Sequence, residues 1–270
     1  MNSVKQKSGK VIVLGCGPAG LLAAYAVTLA NGYSPVIVSN KRKSEMFGAQ
    51  YLHEPIPGLT EVSAQIDYQL RGTAEEYRRK VYGQAWSGTV SPEEYGDKPH
   101  VGYDLRHVYN LLWEKFHDSI IHVKLKSGQD MHSIVDGVNP EHIISTLPAP
   151  ALCIKQDEHV FRVQQVWAVG DAPERGIFCP VKEAPANSII CSGERDVSWY
   201  RTANIFGYRT CEWPFGTKPP LPGISAVRKP LSTTCSCWQR VARMGRYGRW
   251  QKGVLAHSAY YDTLEMLEAR

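Results

Sequence analysis

The chain has 270 residues, 43% hydrophobic and 21% charged. That length can bury a sizeable core, and the composition excludes fibrous, disordered and disulfide-stapled miniature proteins. Net charge at neutral pH is +5, too small an excess to select a partner unless it is concentrated somewhere along the chain.

Residues 9–40 carry the most information. Val11-Ile12-Val13-Leu14 is a continuous apolar run, as expected for a strand covered on both faces. Gly15-Cys16-Gly17-Pro18-Ala19-Gly20 follows, then an apolar helical segment from Leu21 to Ala30. Asn31-Gly32 ends that helix, and Pro35–Val38 read as a second strand. This is a βαβ unit. In that setting Gly15 permits a tight turn, Gly17 lets the backbone approach a pyrophosphate, and Gly20 lets helix and strand pack closely. Pro18 is tolerated at a first-turn position that needs no donor. The helix start then offers unpaired N–H groups and a positive dipole end to phosphates.

At the end of the second strand, where a carboxylate for a ribose hydroxyl is expected, the chain reads Ser39-Asn40-Lys41-Arg42-Lys43. Asn40 can hydrogen-bond a ribose hydroxyl, and Lys41–Lys43 suit either a 2′-phosphate or a solvated surface. Residues 41–60 read as a long loop with Pro55 and Pro57. Beyond it come a strand over 62–70, a short charged helix over 73–80 and turns near Gly88 and Gly96. An amphipathic helix spans 105–118, for which Asp104 suits an N-cap, although Asp104, Arg106 and His107 could equally reach a cleft. Residues 122–126 alternate, Ser127-Gly128 turns, and 142–147 form another strand ending at Pro148. Residues 160–170 and 187–211 are strand-rich, 212–234 read as loop, and 254–268 as a final helix.

Basic residues cluster twice. The first fifty residues hold Lys5, Lys7, Lys10, Lys41, Arg42 and Lys43 against Glu45 alone. Residues 228–252 hold Arg228, Lys229, Arg240, Arg243, Arg246, Arg249 and Lys252, interleaved with Trp238, Tyr247 and Trp250. The second run suits contact with a nucleic acid, phosphates on the cations and bases on the aromatic rings. It equally suits one cofactor phosphate.

The cysteine count is seven, an odd number with no secretory leader ahead of it, so a reducing cytoplasm is expected. Cys153, Cys179, Cys191 and Cys211 read as small core residues. Cys235-Ser236-Cys237 is too closely spaced for a zinc knuckle and no second cysteine pair follows nearby, so no metal site is expected. No apolar stretch reaches the roughly 18 residues of a membrane span, so no membrane contact is expected.

On these motifs the chain resembles flavoproteins of the glutathione-reductase-like FAD superfamily, and within it the amine-oxidase and UDP-galactopyranose-mutase-like branch, though it is unusually short. Gly15-Cys-Gly-Pro-Ala-Gly20 is the form most often met in FAD proteins. The segment from His122 to Pro148, with Thr146 near its end, is similar to a recurring stretch of that branch. Met244-Gly-Arg-Tyr-Gly-Arg-Trp250 with the helix after it resembles the closing motif, and 199–213 resemble the sheet segment before it. Val169-Gly170-Asp171 offers a rival mapping for the flavin side.

The resemblance implies an α/β fold: a Rossmann-like FAD-binding domain with a mostly parallel sheet, plus a smaller mixed or antiparallel substrate-side sheet. It assigns 1–60, 118–150 and 235–270 to the FAD domain, and 61–117 and 151–234 to the smaller inserted region. FAD would be met by Gly15, Gly17, Pro18, Ala19, Gly20, Asn40, Lys41, Gln50, Tyr51, Thr146, Gly245, Arg246, Tyr247 and Trp250. His53, Tyr208 and Arg209 are the candidate catalytic residues, with Arg201 beside them as a holder of a substrate anion. The implied activity is an FAD-dependent oxidoreductase, oxidising an amine or amino-acid-like substrate by hydride transfer. The alternatives are a flavoenzyme acting on a modified base or nucleotide-linked substrate, with nucleic acid meeting 228–252, and a non-redox, mutase-like flavoprotein.

Overall fold

A computed structural model describes residues 9–83, 100–123, 130–170, 184–216 and 223–269. In chain order the first elements are β1 (Gly9–Leu14), α1 (Pro18–Leu29), β2 (Tyr33–Ser39), β3 (Tyr51–Leu52), β4 (Ser63–Gly72) and α2 (Ala74–Tyr82). Then come β5 (His100–Asp104), α3 (Leu105–Phe116), β6 (Ile120–His122), α4 (Asp130–Val138), β7 (His142–Ser145) and α5 (Ala149–Leu152). The remainder is β8 (Phe161–Val169), β9 (Ser188–Gly193), β10 (Arg201–Ile205), β11 (Tyr208–Pro214), β12 (Ser225–Thr233), β13 (Val241–Arg243), α6 (Gly245–Arg249) and α7 (Ser258–Glu268).

The chain divides into two interleaved units. The first holds Met1–Lys43, His107–Val163 and Pro230–Arg270; the second holds Ser44–Arg106 and Gln164–Lys229. The backbone therefore passes between them four times.

The first unit contains a five-stranded sheet in the order β13-β7-β1-β2-β6, parallel throughout. Val11, Ile12, Val13 and Leu14 of its central strand have no exposed surface, which is why that strand reads as an unbroken apolar run. Along α1, Gly20, Leu21, Leu22, Ala23, Ala24, Ala26 and Val27 are all buried, so this helix is apolar nearly all round, as a covered helix is. α7 stacks Tyr260 on Tyr25 of α1, with ring centroids 6.0 Å apart.

The second unit carries most of an eight-stranded sheet in the order β12-β8-β11-β10-β9-β4-β5-β3. β10–β11, β9–β10, β8–β11, β3–β5 and β4–β5 pair antiparallel, and β4–β9 pair parallel. One face holds Tyr51, Ile66, Tyr77, Val166, Ile189, Tyr200 and Ile205 in a single apolar cluster. The chain thus has an α/β fold, with one parallel sheet and one mixed, mostly antiparallel sheet.

Three local expectations need correction. The loop expected over 212–234 contains β12. This strand ends the sheet order, where Pro230 removes no needed ladder bond, and its Arg-Lys-Pro composition masks the alternation. The loop over 41–60 contains the two-residue β3. The strand expected over 122–126 is β6, which ends at His122; 124–126 lie outside the described residues, as do the turns near Gly88 and Gly96.

Candidate functional site

In the first unit the sheet order reverses between β1 and β7, the position at which open parallel sheets bind ligands beyond their carboxyl ends. The glycine turn lies there. Gly15 has φ +100°, a left-handed conformation that only glycine adopts without strain. Its carbonyl oxygen would lie 2.0 Å from any Cβ on Gly20, so that position too is restricted to glycine. Thr146, just past β7, donates its hydroxyl to the Leu14 carbonyl at 3.0 Å and lies 2.7 Å from where a Gly15 Cβ would stand.

Gly17 is different. It caps α1 with φ −71° and ψ 177° and no side-chain hydrogen bond, and a Cβ there would meet nothing within 4 Å. The first intrahelical bond runs from Leu21 N–H to the Gly17 carbonyl at 3.0 Å. Ahead of it Pro18 has no donor, while Ala19 and Gly20 head the helix with their N–H groups. No acidic residue occupies the first turn, so the positive end of the helix has no built-in counter-charge.

The closing motif comes to the same place. Met244 N–H donates to the Ser145 carbonyl at 2.9 Å, and a Cβ on Gly245 would stand 2.7 Å from the Ala19 Cβ. Gly245 is therefore beside the first turn of α1. Arg246 turns its guanidinium toward the Pro230 carbonyl at 3.3 Å. Trp250 is buried, packs edge-on to Phe161 and closes α6 in a left-handed conformation, while Tyr247 is exposed.

The end of β2 is held to the turn by residues the motif reading missed. Cys16 N–H donates to Ser39 Oγ at 3.3 Å, and its thiol, pushed above the usual value by burial, donates to the Lys41 carbonyl at 3.0 Å. Tyr109 of α3 donates its hydroxyl to the Cys16 carbonyl at 3.1 Å and accepts from Lys43 N–H at 2.9 Å. Burial pushes this phenol up to about 12. Its only sequence signal is a tyrosine on the apolar face of α3. Arg42 bonds Asn110 at 2.6 Å and lies 5.3 Å above the Trp113 ring, so its charge is directed to α3. Asn40 and Lys41 are exposed.

Gln50, Tyr51, His53, Tyr208 and Arg209 all belong to the second unit. Gln50 donates an amide hydrogen to the Phe47 carbonyl. Tyr51 stacks on His53 at 4.5 Å, and its hydroxyl meets His100 Nε2 at 2.7 Å and the Tyr68 hydroxyl at 2.9 Å. Burial raises the Tyr51 phenol far above its usual value. Tyr208 lies opposite Ile205 across β10–β11 under the Arg106 guanidinium, 4.2 Å from its ring centre. Arg209 is its neighbour in the same strand, so the two side chains leave opposite faces. Asp104 accepts from Arg106 N–H at 2.9 Å, which makes it the cap of α3. Asp171 lies outside the described residues, as does Cys179.

Arg201 is corrected as an anion holder: its guanidinium lies 2.7 Å from Glu212, which also meets Lys229 at 2.6 Å and the Tyr200 hydroxyl at 2.7 Å. Burial works to raise the Glu212 carboxyl, but Arg201 and Lys229 outweigh it and hold the group well below the usual carboxylate range. Within the basic run 228–252, Lys229 is thus engaged, as are Arg246, Arg249 with Asp262 at 2.6 Å, and Arg243 with the Cys237 carbonyl at 2.7 Å.

The expectation of no metal site rested on local spacing, and the fold removes that premise. Cys153 and His159 meet Cys235 and Cys237, with all four ligand atoms within 4.8 Å of one another. Burial pushes the Cys153 thiol up to about 11. At Cys235 burial acts in the same sense, but the hydrogen bond from Arg243 prevails and lowers that thiol.

No protein-family model and no curated protein matches the sequence. Solved structures do match its fold. Reduced UDP-galactopyranose mutase aligns over 97% of this chain and 93% of its own, at 12% identity and a TM-score of 0.52. A mutant of 2-methyl-3-hydroxypyridine-5-carboxylic acid oxygenase aligns over 97% and 82%, at 12% identity and 0.55. A flavin-dependent halogenase from Brevundimonas sp. BAL3 aligns over 98% and 72%, at 11% identity and 0.52. No helix among the described residues is long and apolar enough to cross a membrane. The chain shares its fold with the mutase, the oxygenase and the halogenase.

Proposed function

We propose that the chain binds FAD on the glycine turn of the first unit and acts as an FAD-dependent oxidoreductase. The observation that carries this reading is Gly17: an uncapped helix start whose one missing side chain leaves open space, at the reversal point of a parallel sheet. The residues present suit the group. The Ala19 and Gly20 N–H groups and the dipole of α1 would hold the pyrophosphate, and Gly245, beside Ala19, adds backbone at the same place. Asn40 replaces the missing carboxylate as ribose partner through its amide, with Lys41 next to it.

When bound, FAD supplies hydride or electron transfer. The protein's part is to fix the cofactor, and the Thr146 and Tyr109 bonds to the Leu14 and Cys16 carbonyls hold the turn in shape for it. An amine or amino-acid-like substrate is the preferred hydride donor, and it rests on the resemblance of the glycine turn and closing motif to the amine-oxidase branch. A nucleotide-linked substrate or nucleic acid is the weaker reading, because Lys229, Arg243, Arg246 and Arg249 are engaged within the chain.

The test is the visible absorbance of the purified chain, followed by identification of what denaturation releases. Free FAD in the supernatant supports the reading, and anaerobic bleaching by amines or amino acids, against NADPH, then sorts the donors. A chain that stays colourless after soaking in FAD refutes it.

A further inference from the structure

The cysteine–histidine cluster carries an inference independent of the flavin. A tetrahedral zinc ion has Zn–S near 2.3 Å and Zn–N near 2.0–2.1 Å, which places sulfurs about 3.8 Å apart and sulfur and nitrogen about 3.5 Å apart. Here Cys153 Sγ and Cys237 Sγ are 3.9 Å apart. His159 Nδ1 lies 3.2 Å from Cys153 Sγ and 3.7 Å from Cys237 Sγ. These three edges are close to those of a zinc tetrahedron, Cys235 Sγ lies within 4.8 Å of the other three ligand atoms, and the ligands come from segments 84 residues apart.

The surroundings suit such an ion. Arg243 donates to Cys235 Sγ at 3.3 Å and to the Cys235 and Cys237 carbonyls at 3.1 and 2.7 Å. Three thiolates around a divalent cation leave one net negative charge, and the guanidinium offsets it while fixing the loop that carries two of the ligands. Thiolate softness favours zinc over magnesium or calcium, and four protein ligands close the tetrahedron, leaving no position for water or substrate.

We propose that Cys153, His159, Cys235 and Cys237 bind one structural zinc ion. It clamps the loop after α5 to the loop before β13, the strand that leads through Met244 to Gly245. The site therefore anchors the closing motif from behind and takes no part in chemistry.

The experiment is elemental analysis of the full chain purified without added metal, with cobalt substitution of the same protein. About one zinc per chain is expected, with thiolate-to-cobalt charge-transfer absorption and intense tetrahedral d–d bands after exchange. Cys237→Ser and His159→Ala should each lose most of the zinc. A chelator that strips wild-type zinc should lower the melting temperature, and zinc should restore it. The proposal is overturned by wild-type protein that holds no metal and gives no such cobalt spectrum. It is equally overturned by a Cys153–Cys237 disulfide in the unreduced mass spectrum, or by folded variants that keep their zinc. Should the variants fail to fold, the wild-type cobalt spectrum and chelator response decide alone.

Discussion

Replacing Gly17 by alanine separates a glycine kept for a ligand from a glycine kept for the fold. The backbone there is already in a conformation alanine adopts, and the new Cβ meets nothing within 4 Å. Alanine is a poorer N-cap than glycine by about 0.5–1 kcal/mol, and its smaller unfolded-state entropy returns about 0.4–1 kcal/mol. The two nearly cancel, so the apoprotein's melting temperature should move by no more than about 3 °C. If FAD binds as proposed, the methyl group would occupy the open space through which a phosphate oxygen reaches the backbone. Loss of one charge-assisted hydrogen bond, about 1.5–3 kcal/mol, weakens FAD binding roughly 10- to 150-fold. Gly20→Ala is the counterpart. Its Cβ falls 2.0 Å from the Gly15 carbonyl oxygen, so it should destabilise the apoprotein by about 1–3 kcal/mol or more as well as weakening FAD. Titration of apoprotein by flavin fluorescence, alongside thermal melts without flavin, measures both quantities. A Gly17→Ala protein that binds FAD as tightly as wild type, or that melts far below it, would show the reasoning about the open cradle to be wrong.

Glu212→Gln strands Arg201 and Lys229 in the core and should cost about 3–5 kcal/mol, read as a fall in melting temperature on the order of 10 °C. The same carboxylate makes a pH prediction. Its folded-state value lies below the unfolded value of about 4.3, so its stabilisation is complete above that pH and is lost as the pH falls toward the folded value. In that window wild type should lose up to about 1.4 kcal/mol per pH unit from this one group. Glu212→Gln should lack that component, and parallel acid-melting curves would contradict the assignment. Tyr109→Phe removes the hydroxyl that meets the Cys16 carbonyl and Lys43 N–H. It should cost about 1–3 kcal/mol and weaken FAD several-fold, and a variant with unchanged stability and affinity would count against the clasp. Zinc stoichiometry, as set out above, is the fifth.

The βαβ unit is legible because every signal for it is local: the apolar run, the glycine spacing and the helix fall within 32 consecutive residues. α3 and α7 are legible for the same reason, through periodicity. β12 is not, since Arg228, Lys229 and Pro230 read as loop, and the strand forms only because the sheet supplies a partner for its alternate residues. Arg201 read as free to hold an anion because nothing local shows that Glu212, across β10–β11, lies against it. The cysteine–histidine cluster is the clearest case. Each half is unremarkable by itself, and its chemistry exists only once two distant loops meet.

The interleaving of the two units bears on how the protein is made. The second unit needs Gln164–Lys229 to pair with strands from Ser44–Arg106, and β4 meets β9 across more than a hundred residues. The first needs β13 at its sheet edge and α7 against α1, both more than two hundred residues after β1. A ribosome releasing the chain from its amino end cannot complete one unit and then begin the other. The apolar face of α1 that α7 covers must wait until α7 has emerged. Folding in the cell is therefore governed by long-range contacts formed late, and a chaperone that shields α1 during synthesis should raise the yield of native protein more than one acting after release.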